Sequence, residues 1–119
     1  MFLKRNIEIE INNDNSSVYI HSYYKNQEVG RISCGINKKK KQIKIGDITC
    51  KKCNKGYGSL MMEKLIEFAK ENGIKSIIGF LSRVDMGHEE RLCHFYQKFG
   101  FEIVPNDKEM KFADIKLSL

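Results

Sequence analysis

The sequence predicts a mixed α/β (α+β) domain, a mainly antiparallel sheet with a bulged strand and two packed helices, and three observations carry that reading. Four segments with period-two alternation of apolar and polar residues fill the first fifty positions. The apolar spacing then turns helical after Gly58 and again around Leu92. Between and after those helices the chain returns to short apolar runs, the pattern of strands that helices cover. At 119 residues, 41% hydrophobic and 30% charged, the chain is expected to form one domain over 1–119, with an ordinary globular balance that argues against disorder.

Each element has its own warrant. Ile7, Ile9 and Ile11 alternate with Asn6, Glu8 and Glu10, giving a half-buried strand over about 5–12 that NNDNSS ends as a turn. Val18 and Ile20 oppose Tyr19, His21 and Tyr23 in a second strand. A short turn near Lys25-Asn26 leads to a third, where Ile32, Cys34 and Ile36 share a face. In the fourth, KQIKIGDITC, the apolar positions are Ile43 and Ile45 and then Ile48 and Cys50. That slip of phase across Gly46-Asp47 predicts a β-bulge, which leaves backbone groups unpaired and bends the strand from its neighbour.

Met61, Leu65, Phe68 and Ala69 lie at helical spacing in a helix over about 57–72, with Gly73 as the stop. SIIGFL is nearly all apolar, as a strand covered on both faces is. HEERLCHFYQKF puts Leu92, Phe95 and Phe99 on one face of a second helix that Gly100 ends. Phe101–Val104 form a strand, Pro105-Asn106 a turn, and 109–118 a last strand whose alternation slips between Phe112 and Ile115.

The net charge of +6 suits an anionic partner, whether nucleic acid, an anionic surface or a phosphate-bearing cofactor. The run Lys38–Lys41 reads as a solvated turn between strands. MFLKR runs directly into the alternating NIEIEI without an apolar leader, and the longest apolar stretch, IIGFL, is far short of a membrane span. A cytoplasmic protein with no membrane partner is the expectation, its four cysteines held as thiols. A homodimer is compatible with this reading.

Residues 50–59, CKKCNKGYGS, overlay two signatures, a Cys-x-x-Cys pair and a Gly-x-Gly turn. Structural zinc needs four ligands, and Cys50 and Cys53 have no second pair; Cys93 and His94, adjacent on a helix, point about 100° apart. No metal is therefore expected. A redox dithiol opens a helix directly, whereas Cys53 lies a few residues ahead of this one. Gly56-Tyr57-Gly58 falls where a strand hands over to a helix, and glycine there lets backbone N–H groups approach an anion at the positive end of the helix dipole. Lys51, Lys52 and Lys55 add charge, although the segment is neither a dinucleotide fingerprint nor a P-loop. The plain alternatives are a structural Gly turn, a packed Tyr96, and capping roles for Asp85, His88 and Glu89 before the second helix.

Taken together, Asp47 through CNKGYGSLMMEKL with FYQKFGFEIV at 95–104 resembles the GNAT superfamily of N-acetyltransferases. The shared pattern is a bulged strand, an (Arg or Gln)-x-x-Gly-x-(Gly or Ala) loop, a helix, a strand, and a helix ending in Tyr-x-Lys-x-Gly-Phe. The earlier meander fits the family's front strands in order, with the strand and helices that usually come before them missing or reduced, which leaves the acceptor side more open. The resemblance implies acetyl-CoA as cosubstrate: backbone amides around Ile48, Thr49 and Cys50 hold its pantetheine arm and polarise the thioester. Cys53, Asn54, Lys55, Gly56, Tyr57, Gly58 and Ser59 cradle the pyrophosphate, with Cys53 standing where Arg or Gln is usual. Tyr96 matches the general acid beside the thioester sulfur, and Glu89 stands where an Asn often assists. The amine must be neutral to attack, so a base or water chain is needed, and Asp47, Asp85 and His88 are the candidates. A non-catalytic CoA-binding or nucleic-acid-binding regulatory module, and more distantly a thiol redox protein, are the competing readings.

Overall fold

A computed structural model of the chain describes residues 7–50, 56–82, 89–105 and 111–119. Seven strands and two helices follow in the order β1 (Ile7–Asn13), β2 (Ser17–Tyr24), β3 (Gln27–Asn37), β4 (Gln42–Cys50), α1 (Tyr57–Glu71), β5 (Ser76–Ser82), α2 (Glu89–Gln97), β6 (Glu102–Pro105) and β7 (Lys111–Ser118). They form one sheet in the order β1-β2-β3-β4-β5-β7-β6, antiparallel throughout except for β4 against β5.

Local chemistry fixes the meander. Lys25 and Asn26 both adopt positive φ, 51° and 65°, in a two-residue turn closed by the Tyr24–Gln27 pair, a twist that suits a hairpin. Asp14 Oδ1 accepts from the backbone N–H groups of Ser16 (2.8 Å) and Ser17 (2.9 Å), an Asx turn that joins β1 to β2 without any helix between them. The Lys38–Lys41 run is the β3–β4 turn, with Lys41 at φ 52°.

One face of the sheet supplies the core. Val18 and Ile20 from β2, Ile32 and Cys34 from β3, Ile43 and Ile45 from β4, Ile77 and Leu81 from β5 and Ala113, Ile115 and Leu117 from β7 are buried there. Against them α1 lays Met61, Met62, Leu65 and Ala69, and α2 adds Tyr96 with Phe101 just beyond it. Burial of a side chain of this size contributes roughly 1.5–3 kcal/mol, so this stripe sets the register of every strand beneath it. The other face carries Tyr19, Arg31, Lys44, Asp47, Thr49 and Phe80 toward solvent, and among the described residues no helix covers it. No helix among the described residues is long and apolar enough to cross a membrane.

The register slips anticipated at Gly46-Asp47 and near Phe112 are both bulges. Asp47 faces Ser33 and Ile45 faces Cys34, leaving Gly46 as the extra residue in β4. Lys111 faces Ser82 and Ala113 faces Leu81, leaving Phe112 extra in β7. A third bulge, at Val29 between the Ser22–Gly30 and Tyr23–Glu28 pairs, has no counterpart in the sequence reading. Pro105, expected in a turn, instead ends β6 opposite Ala113; β6 is a sheet edge, where a residue without N–H costs no ladder bond.

Candidate active site

The central feature is a place where two neighbouring strands stop pairing. β4 and β5 are matched over three positions, Gln42–Ser76, Ile43–Ile77 and Lys44–Ile78. Among the described residues nothing pairs beyond these, although β4 continues to Cys50 and β5 to Ser82. Two residues after the last pair comes the Gly46 bulge, which adds twist and turns the end of β4 away from β5. Among the described residues the edge of β4 over 45–50 that faces β5 has no ladder partner, the kind of edge on which a guest backbone can pair. Of the residues expected here, Ile48 is half-buried, Asp47 and Thr49 are exposed, and Cys50 ends the strand opposite Gly30. On the helix-free face beside this opening lies a groove of about 480 Å³, lined by Lys44, Ile78, Phe80, Val104, Asp114 and Lys116 among others.

The start of α1 lies at the end of this opening. Gly56 is its N-cap, at φ 82° and ψ 8°, a left-handed conformation natural to glycine. It offers no side-chain cap, and no acidic residue stands in the first turn. The N–H groups of Tyr57, Gly58 and Ser59 therefore lack intrahelical acceptors at the positive end of the dipole, which is a ready anion-binding arrangement. The last turn of α2 and the residues after it close over it. Lys98 Nζ donates to Ser59 Oγ at 2.6 Å and lies 5.4 Å from the Phe95 ring and 5.3 Å from that of Phe99. A Cβ added at Gly58 would just touch the edge of Phe95 at 3.4 Å, so a larger branched side chain here would press on α2 as well as hinder backbone approach.

Tyr96 is only 6% exposed, held edge-on between Phe95 (5.2 Å, 83°) and Phe101 (5.3 Å, 72°). Its backbone carbonyl accepts from the N–H groups of Phe99 and Phe101 in the turn after α2, which passes through Gly100 at φ 95°. The ring thus has a packing role whatever else it does. Cys53, Asn54, Lys55, Asp85 and His88 lie outside the described residues. The structure brings Tyr57, Gly58 and Ser59 together with Phe95 and Lys98, a clamp the sequence reading missed. Its signal was present in FYQKFGF, where Lys98 is the one cation in an aromatic run.

For the thiols, burial pushes Cys34 up to about 12, so this side chain stays protonated and unreactive at neutral pH. Among the described residues, no group of three or more His, Cys, Asp or Glu side chains could hold a metal.

Comparison with known proteins agrees with this geometry. The chain is 38% identical over 61 residues to protein YocC of Bacillus subtilis (strain 168), a match covering 51% of this chain and 36% of YocC. In fold it resembles the PaiA N-acetyltransferase of Thermoplasma acidophilum, solved with coenzyme A (TM-score 0.72, 16% identity, 87% of this chain and 62% of that one). It resembles equally an acetyltransferase of Bacillus subtilis in complex with CoA (TM-score 0.73, 15% identity, 95% and 99%). The chain spans just over a third of YocC and under two-thirds of the PaiA enzyme. The model of the acetyltransferase (GNAT) family matches residues 2–101, most of the chain including β1 to α2, and the protein belongs to that family.

Proposed function

We propose that the chain is an N-acetyltransferase that moves an acetyl group from acetyl-CoA to a primary amine. The observation that carries this reading is the halt in β4–β5 pairing after Lys44–Ile78, beside a bulge and ahead of an uncapped helix start. Such an opening accepts a slender amide-bearing arm by strand-like hydrogen bonding, while the orphan N–H groups of α1 and the ammonium of Lys98 match a pyrophosphate. Resident metal plays no part in this scheme.

The chemistry requires few groups. The amine nitrogen adds to the thioester carbonyl, the tetrahedral oxyanion is stabilised by an unpaired N–H of β4, and the C–S bond then breaks as the N–C bond is kept. The departing thiolate takes a proton from Tyr96, and the amine proton leaves toward solvent or a carboxylate on the helix-free face. Asp47, exposed at the bulge, is the described residue suited to that last role; Asp85 and His88 remain candidates with it. Because both helices cover the opposite face, the acceptor approaches from the helix-free one. A cytoplasmic location fits a reaction that consumes acetyl-CoA.

Thermal unfolding with acetyl-CoA, NADH, zinc and an oligonucleotide in parallel tests the reading. A native-state ligand at about 100 times its dissociation constant adds roughly 2.7 kcal/mol, and the expected shift is with acetyl-CoA alone. A shift with the oligonucleotide and none with acetyl-CoA would replace the enzyme by a nucleic-acid-binding module.

A further inference from the structure

Among the described residues of the helix-free face, His21 Nδ1 and Glu28 Oε2 form a short side-chain pair at 2.6 Å, and strict alternation would not have made it. Counted back from buried Ile32, Glu28 has the parity of the core. The bulge at Val29 reverses that parity: Val29 and Gly30 are both buried, and Glu28 is turned to the face of His21. Bulges re-aim side chains in this way beside functional sites. The His21 ring stacks on Tyr23 with centroids 6.2 Å apart and planes at 24°, and Tyr19 on the same strand face is 40% exposed.

The charged neighbours come from the two flanking strands. Glu10 of β1 stands opposite His21, Glu8 opposite Tyr23, and Arg31 of β3 opposite His21 on its other side. Desolvation first, and then the charges of Glu10 and Glu28, hold the Tyr23 phenol above its usual value. Glu10, His21, Arg31 and Thr49 form one row across four strands, and Thr49 borders the β4–β5 opening. Two strand spacings put His21 roughly 10 Å from Thr49.

We propose that His21 and Glu28, with the rings of Tyr19 and Tyr23, are specificity-determining contacts for the acceptor, holding the second protonated nitrogen of a diamine whose first nitrogen is acetylated at the opening. This rests on the acetyl-transfer reading. In the tautomer that donates Nδ1–H to Glu28, the His21 ring offers Nε2 as an acceptor, and the tyrosine faces attract a cation. Arg31 works in the opposite sense. In register Arg31 stands between Thr49 and His21, and its positive charge opposes a cation placed over β3, so a short diamine is disfavoured while a longer one carries its charge past it. The acceptor class is therefore a diamine with nitrogens about two strand spacings, roughly 10 Å, apart.

The test measures CoA thiol release from acetyl-CoA with octamethylenediamine, tetramethylenediamine and octylamine, together with NMR of the His21 ring as octamethylenediamine is added. The long diamine should show a KM about tenfold below that of octylamine, the scale of one charge-assisted hydrogen bond. That advantage should vanish in Glu28→Gln and His21→Asn, with unfolding midpoints recording that both fold, and Arg31→Gln should improve the short diamine. Equal KM values for long diamine and octylamine, an advantage retained in Glu28→Gln, or an unmoved His21 ring would each overturn the proposal. If the chain binds no acetyl-CoA but the diamine still shifts His21 in a Glu28-dependent way, the acetyl-transfer reading fails and the subsite stands.

Discussion

The two ends of β4 are built from the same alternating isoleucines but live under different constraints. Ile43, near the start, lies between β3 and β5, pairs with both, and is fully buried. Ile48, beyond the Gly46 bulge, pairs with β3 alone and is half-buried. The first end spends its backbone groups on the sheet; the second, among the described residues, has a ladder partner on one edge only. A single inserted residue thus divides a strand into a part that stabilises the fold and a part available for binding.

The largest expected effect measures that division directly. Ile43→Ala should cost about 3 kcal/mol, as cavity-forming substitutions in a tight core do. Ile48→Ala should cost about 1 kcal/mol, because a half-buried side chain loses less transfer free energy and its surroundings can relax. Denaturant unfolding of both variants reads the difference, and equal losses would mean that the second end is packed as firmly as the first.

Next comes Tyr96→Phe, expected to lower kcat about a hundredfold, the lower end for general acid catalysis because a thiolate leaves easily, with little change in acetyl-CoA affinity. The buried, edge-on packing of the ring supplies the rival outcome. Phe preserves that packing, so an unchanged kcat under conditions where chemistry limits the rate would leave Tyr96 a structural residue.

Smaller is the effect of Gly58→Val, which should weaken acetyl-CoA binding about tenfold, since a branched side chain both blocks the α1 donors and presses on Phe95. Gly35→Val is the control, because a Cβ there meets nothing within 4 Å. Isothermal titration of the two variants decides whether the anion site needs a bare backbone.

The contrast within β4 was legible in the sequence because two apolar residues on each side of Gly46-Asp47 reveal the phase slip. The bulge at Val29 was not, since Gln27, Glu28 and Gly30 around it give no apolar phase to lose. The helix start could be read from Gly56 and Gly58, but the second reason for Gly58, the ring of Phe95, is a contact across 37 residues that no local pattern announces. The same holds for Lys98 on Ser59 and for Glu28 on His21, pairs made by tertiary placement rather than by spacing. Composition points to an anionic ligand, and only topology points to a place for it.

The smallest effect concerns Cys34, buried next to Ile45 in register on the stable side of the bulge. Its thiol is raised from 9.0 to about 12 by burial. Between those values the unfolded chain has lost this proton while the native chain keeps it, so the native state binds more protons and stability falls as pH rises. Below pH 9 the effect is absent, and by pH 9.5 it amounts to less than about 1 kcal/mol. Other groups titrate in the same range, so the measurement is the difference in alkaline slope between wild type and Cys34→Ala, followed by chemical denaturation from pH 8 to 9.5. The variant should be less stable at pH 8 but lose stability more slowly. Parallel slopes would mean that solvent reaches Cys34 in the native state, and that the boundary between the two ends of β4 lies one residue pair earlier than the register places it.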